Sequence, residues 1–131
     1  MTEQGASASS SEAARVAVIG AGTMGAGIAQ VALEAGWRVS LHDPLPGATD
    51  RALERIRQGL TRRAEKSGAD DPPRETARRL LALDVRMDLT AATDGAQLAI
   101  EAVLEDLELK RQLFADHTRA QTQHVAIVMF A

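Results

Sequence analysis

The chain has 131 residues and no cysteine, with 15 basic against 18 acidic side chains and a formal net charge of -3. That length holds one domain with one modest core, and the charge balance excludes a general electrostatic pull toward nucleic acid or an anionic membrane surface. Missing thiols remove disulfides, a cysteine nucleophile and thiolate metal ligands, while 45% hydrophobic content with only 2% aromatics predicts an aliphatic core and no base-stacking platform.

Residues 1–13 read as a flexible polar leader, because MTEQGASASSSE lacks the basic start and apolar run of a secretory signal. No stretch approaches the roughly 20 apolar residues that span a bilayer, so the expected location is the cytoplasm. The folded domain is expected over 14–131. ARVAVIG (14–20) is a β-branched apolar run that stops at glycine, as a buried parallel strand does. In the segment up to Gly36, Met24, Ile28, Val31 and Ala35 recur at spacings of three and four, which predicts a helix with that stripe buried. RVSLHD (38–43) is a second strand with Asp43 at its carboxyl end. Pro44, Pro46 and Gly47 then break the chain.

A long helix from about Ala48 to Lys66 places Leu53, Ile56 and Leu60 on one face, with Arg, Glu and Gln around the rest. SGADDPP (67–73) is a loop closed by two prolines, RETARRLLAL (74–83) a short helix, and VRMDL contains the next strand. LAIEAV (98–103) is a fourth strand, residues 106–120 an amphipathic helix with Leu107, Leu109, Leu113 and Phe114, and HVAIVMFA (124–131) a final apolar strand. Strands alternating with helices predict an α/β fold: a Rossmann-type, doubly wound parallel sheet, incomplete at the C-terminus.

The sharpest motif is Gly20-Ala21-Gly22-Thr23-Met24-Gly25, a G-x-G-x-x-G between a predicted strand and a predicted helix. Gly20 permits the tight turn, Gly22 leaves room for a pyrophosphate, and Gly25 lets helix and strand approach closely. Amides at the helix start face the phosphates with the dipole assisting. Asp43 lies 23 residues after Gly20, where a carboxylate accepts hydrogen bonds from adenine ribose hydroxyls and repels a 2′-phosphate. NAD is therefore favoured over NADP. Arg38 is the one nearby feature that could tolerate NADP. A bare glycine motif also arises from packing alone, and FAD and S-adenosylmethionine sites share the turn; the strand, helix and aspartate together weigh against packing.

Other candidates are weaker. Glu101 and Glu105 flank the carboxyl end of the fourth strand, and Lys110 is near enough in sequence to pair with Glu105 or a phosphate, although cap and surface charges explain them equally. Lys66 ends a basic run that reads first as a solvated helix face. His42, His117 and His124 assemble no metal site, and neither HExxH nor G-x-S-x-G occurs. The 131 residues hold no catalytic constellation.

AVIGAGTMGAGIAQVALEAGWRVSLHD followed by IEAVLEDLELKRQLF resembles the NAD-binding domain of the 3-hydroxyacyl-CoA dehydrogenases, 3-hydroxybutyryl-CoA dehydrogenases among them, from about Arg15 to Val128. The resemblance implies oxidation of an L-3-hydroxyacyl-CoA to the 3-ketoacyl-CoA with NAD as hydride acceptor, as part of fatty acid metabolism, in dimers joined largely through a second, helical domain. It implies cofactor contacts at Gly20 to Gly25, Asp43, Ala102, Glu105 and Lys110, and a coenzyme A contact at Lys66; a neighbouring family serine falls at Gly59 and that contact is absent. The chain departs from the family after its last strand, where Phe130 and Ala131 replace small polar residues. The catalytic histidine, its glutamate partner and the helical domain belong to chain beyond 131, so the resemblance implies a truncated, inactive dehydrogenase that binds NAD. A non-enzymatic NAD-sensing or interaction protein retaining the fold is the competing reading.

Overall fold

The computed structural model describes residues 14–104 and 123–129; the leader, the helix expected over 106–120 and the last two residues lie outside them. In chain order the elements are β1 (Arg15–Ile19), α1 (Thr23–Glu34), β2 (Arg38–His42), α2 (Ala48–Lys66), α3 (Pro72–Leu80), β3 (Leu83–Val85), α4 (Leu89–Thr93), β4 (Leu98–Leu104) and β5 (Gln123–Met129). They form one sheet in the order β3-β2-β1-β4-β5. The first four strands are parallel, with Ile19 level with His42 on one side and with Glu101 on the other. This is the α/β, Rossmann-type arrangement that the alternating elements predict.

Each sheet face is packed differently. Val16, Val18, Val39 and Leu41 meet Ala26, Ala29 and Leu33 of α1 and Ala48, Ala52, Ile56 and Leu60 of α2. Each fully buried Val, Leu or Ile there contributes about 1.5–3 kcal/mol. Ala17 and Ile19 point the other way and pack with Ala92, Ala96 and Ala99. β1 is thus covered on both faces, which explains its unbroken apolar run. α3 folds back on α2, where the hydroxyls of Thr61 and Thr76 lie 2.8 Å apart. Arg79 of α3 donates to Leu33 O and Glu34 O at 3.1 Å, satisfying carbonyls at the end of α1.

Several local expectations change. The stripe of α1 that enters the core is Gly25, Ala26, Ala29 and Leu33, not Met24, Ile28, Val31 and Ala35. Small residues allow the helix its closest approach to the sheet. The larger side chains stand on its flank and, with Trp37, Leu98 and Ile100, line an apolar groove of about 600 Å³. The two prolines do not close the loop before α3; they open the helix, Pro72 taking its first position behind an Asp71 side chain that accepts from Arg74 N at 3.2 Å. β3 ends at Val85, and the Asp-Leu-Thr-Ala sequence after it starts α4, capped by Asp88 accepting from Ala91 N at 2.7 Å. β5 lies antiparallel to β4, with Leu98 opposite Met129 and Leu104 opposite Gln123. A continuous apolar run reads the same in both directions, so its sequence does not fix strand polarity, and an antiparallel edge on a parallel sheet is common.

Candidate functional site

β1 and β2 stop level with one another at Ile19 and His42, and Gly20 and Asp43 follow them; on the other side Glu101 is level with Ile19 and Ala102 is the next residue of β4, which continues to Leu104. Gly20 turns the chain at φ 109°, which disfavours any side chain. Its amide donates to His42 O at 2.8 Å. Gly22 is the extended residue before α1, and no side chain caps the helix. The first intrahelical bond runs from Ala26 N to Gly22 O, so the amides of Thr23, Met24 and Gly25 precede the helical ladder. The first turn carries no acidic residue. A helix start of this kind favours an anion.

Gly25 sits directly above the turn: a Cβ there would lie 1.8 Å from Gly20 O. Asp43 is half-buried beside it. One carboxylate oxygen accepts from Ala21 N at 2.7 Å and the other from Leu45 N at 2.9 Å. Each oxygen retains a lone pair for a further donor. Ala102 is buried on the opposite side of Gly20, where its methyl leaves the rim open.

The sequence did not single out what holds this rim from below. His42 is 6% exposed, and its Nδ1 donates to Arg86 O at 3.0 Å, a direction fixed because a carbonyl only accepts. Arg86 N donates to Leu41 O at 2.9 Å, and its guanidinium reaches Ala91 O at 3.0 Å and Asp84 at 3.3 Å. Arg15 reaches the same Asp84 oxygen at 3.4 Å and buried Ser40 Oγ at 2.8 Å. Burial pulls the Asp84 pKa upward, but hydrogen bonds from Arg86 and Arg15 outweigh it and hold the carboxyl below its usual range. The signal available in the sequence was alternation: Arg15, Ser40 and Asp84 occupy strand positions between apolar ones.

The remaining expected residues do not converge on the turn. Arg38 begins β2, at the opposite end from Asp43, and is level with Arg15. Lys66 is exposed on the last turn of α2. That end of α2 adjoins Glu34, the end of α1 remote from the glycines, across a cavity of about 460 Å³. Gly59, two turns earlier, is packed against α1, its missing side chain replaced by the Gln30 carboxamide, 2.0 Å from where a Cβ would stand. Glu105 and Lys110 lie outside the described residues, as does His117. Among the described residues, no group of three or more His, Cys, Asp or Glu side chains could hold a metal, and no helix is long and apolar enough to cross a membrane.

Residues 15–129 match the family described as "3-hydroxyacyl-CoA dehydrogenase, NAD binding domain". A probable 3-hydroxyacyl-CoA dehydrogenase of Caenorhabditis elegans is 39% identical over 104 residues, covering 77% of this chain and 34% of the relative. The 3-hydroxybutyryl-CoA dehydrogenase of Mycobacterium tuberculosis is 36% identical over 114 residues, covering 87% and 39%. Among solved structures, M. tuberculosis FadB2 superposes with a TM-score of 0.63 at 39% identity, over 78% of this chain and 35% of that one. The chain therefore spans between a third and two fifths of the length of these relatives.

Proposed function

The chain belongs to the NAD-binding-domain family of the 3-hydroxyacyl-CoA dehydrogenases, and from that premise we propose that it is the NAD-binding portion of an oxidoreductase interconverting an L-3-hydroxyacyl-CoA and its 3-ketoacyl-CoA. The observation that carries this reading is the row Gly20, Asp43 and Ala102 beside the uncapped start of α1. It offers amides without a competing acid, a glycine where a phosphate must approach, and a carboxylate with lone pairs to spare. The residues present fit a dinucleotide.

In this reading Gly22 leaves the pyrophosphate open access to the amides of Thr23 and Met24, with Gly25 keeping α1 pressed onto the turn. The ribose hydroxyls donate to Asp43, whose charge disfavours a 2′-phosphate. Ala102 forms the far wall, and the family resemblance adds Glu105 and Lys110 as cofactor contacts. Lys66 serves coenzyme A, not NAD, in keeping with its distance along α2. When bound, the dinucleotide supplies hydride acceptance or donation. Proton transfer at the 3-hydroxyl requires a base, worth typically 10²–10⁴-fold in rate. His42 cannot be that base: its ring is buried and its Nδ1 proton is committed to Arg86 O. We propose that the isolated chain binds the cofactor without turnover.

Titration of the purified chain with NADH and NADPH tests the reading, together with an acetoacetyl-CoA reduction assay. Saturable NADH binding, with NADPH weaker by roughly tenfold or more from the charge clash, is expected. A folded chain that binds neither, or both equally, overturns the cofactor assignment. Sustained NADH consumption by the chain alone overturns its inactivity.

A further inference from the structure

We infer that Asp43 is also a positioning residue for the phosphate-binding turn, acting through the Ala21 amide independently of any contact to ribose. This rests on the dinucleotide reading for its functional meaning, but its structural basis is visible in the chain itself. The turn is fixed from β2 by two consecutive bonds: Gly20 N donates to His42 O at 2.8 Å and Ala21 N to an Asp43 oxygen at 2.7 Å. The first is ordinary backbone pairing that any residue at 42 supplies. The second is a short, charge-assisted bond that only a side chain at 43 supplies. Ala21 is 2% exposed, so without that acceptor its N–H has little access to water, and an unsatisfied buried donor makes the turn reorganise.

The other Asp43 oxygen accepts from Leu45 N at 2.9 Å. That bond fixes the carboxylate from the loop side, and His42 anchors the strand end through Arg86 O at 3.0 Å. The carboxylate is thus pre-set before any ligand arrives. Its orientation directs one oxygen at the turn and keeps Ala21 N out of the set of amides offered to phosphate. Those amides begin at Gly22.

The two roles predict opposite signs for a ligand that has no ribose. If Asp43 only binds ribose, removing its charge relieves repulsion of an anion at the turn, and inorganic pyrophosphate binds more tightly. If Asp43 positions the turn, Asp43→Ala weakens pyrophosphate by roughly tenfold, the scale of a lost hydrogen bond to a charged group. Asp43→Asn removes the charge but keeps an acceptor for Ala21 N, so it binds pyrophosphate at least as tightly as the parent chain. Both variants weaken NADH.

Pyrophosphate affinity is read from amide shifts of the turn in NMR titrations of the full chain. In the unliganded parent chain, a scalar coupling across the hydrogen bond from Ala21 ¹⁵N to Asp43 ¹³Cγ is measured as well. This second readout needs no variant to fold. Its absence overturns the inference, as does pyrophosphate binding that moves in the same direction in both variants. A coupling that is present in a chain that binds no NADH leaves the positioning contact standing and overturns the dinucleotide reading instead.

Discussion

Gly25→Ala is the sharpest test of how the glycine turn is built, because its neighbour Gly27 supplies an internal control in the same helix. A Cβ at 25 would lie 1.8 Å from Gly20 O and 2.9 Å from Gly20 C, both backbone atoms. Restoring van der Waals separation requires α1 to retreat by roughly 1.5 Å, since carbon contacts are optimal near 3.5 Å. That movement loosens Ala26, Ala29 and Leu33 against Val18 and Val39. Overpacking of this kind costs about 1–3 kcal/mol, here partly offset by the roughly 1 kcal/mol that alanine gains over glycine inside a helix. A Cβ at 27 meets nothing within 4 Å, so Gly27→Ala receives the helix gain alone. Urea denaturation followed by far-UV circular dichroism should therefore place Gly25→Ala below the parent midpoint and Gly27→Ala above it. Gly25→Ala should also lose NADH affinity, because the retreating helix carries the Thr23 and Met24 amides with it. If both variants are stabilised alike, the close helix–turn contact is not what position 25 provides, and the reasoning fails.

Asp84→Asn should destabilise the fold at pH 7 by no more than about 1 kcal/mol, because 43% of the side chain is exposed. The carboxyl is held below its usual range, so its contribution is fully present above the unfolded-state pKa of about 3.9 and is lost as pH falls through the folded value. Parent and variant midpoints should therefore converge in acid, and a constant gap from pH 7 to pH 2 would contradict the sign. At Gly59 the obstructing group is the end of the flexible Gln30 side chain. Gly59→Ala should thus be close to neutral alone and stabilising by about 0.5–1 kcal/mol in a Gln30→Ala background; a double-mutant cycle with no coupling would place Gln30 elsewhere. His42→Leu should cost about 1–3 kcal/mol by stranding Arg86 O. His42→Asn, whose amide N–H can take the Nδ1 position, should recover part of that in thermal melts.

The element order and parallel sheet were legible because β1 is apolar throughout and the glycine motif sits at a strand–helix junction. What the sequence misplaced shares a physical cause: tertiary neighbours decide which of two plausible local patterns wins. On α1 two stripes were available, and periodicity favoured the larger side chains. The sheet took Gly25, Ala26, Ala29 and Leu33 because Gly20 lies so close beneath the helix. At Asp71-Pro72-Pro73 the prolines punctuate either a loop end or a helix start, and the Asp71 cap decides for the latter. The short α4 was hidden in a segment whose apolar residues also suit a strand. At the site, the position of Asp43 was readable from its distance to Gly20, but its bond to Ala21 was not, because the spacing says nothing about where a side-chain oxygen points.

The polar row of Arg15, Ser40 and Asp84 has a consequence for fidelity more than for energy. Val16 to Ile19 of β1 are all buried, so hydrophobicity alone scores a one-residue slip of this strand almost as well as the native alignment. Arg15 is the exception. Only when Ala17 is level with Ser40 and Ser40 with Asp84 do guanidiniums from two different strand ends meet one carboxylate. A shifted strand would turn Arg15 toward the aliphatic side, with its charge unmatched. The row works as a key cut into an otherwise featureless sheet: replacing it with apolar residues would leave the amount of stabilisation similar while multiplying the number of alignments that share it.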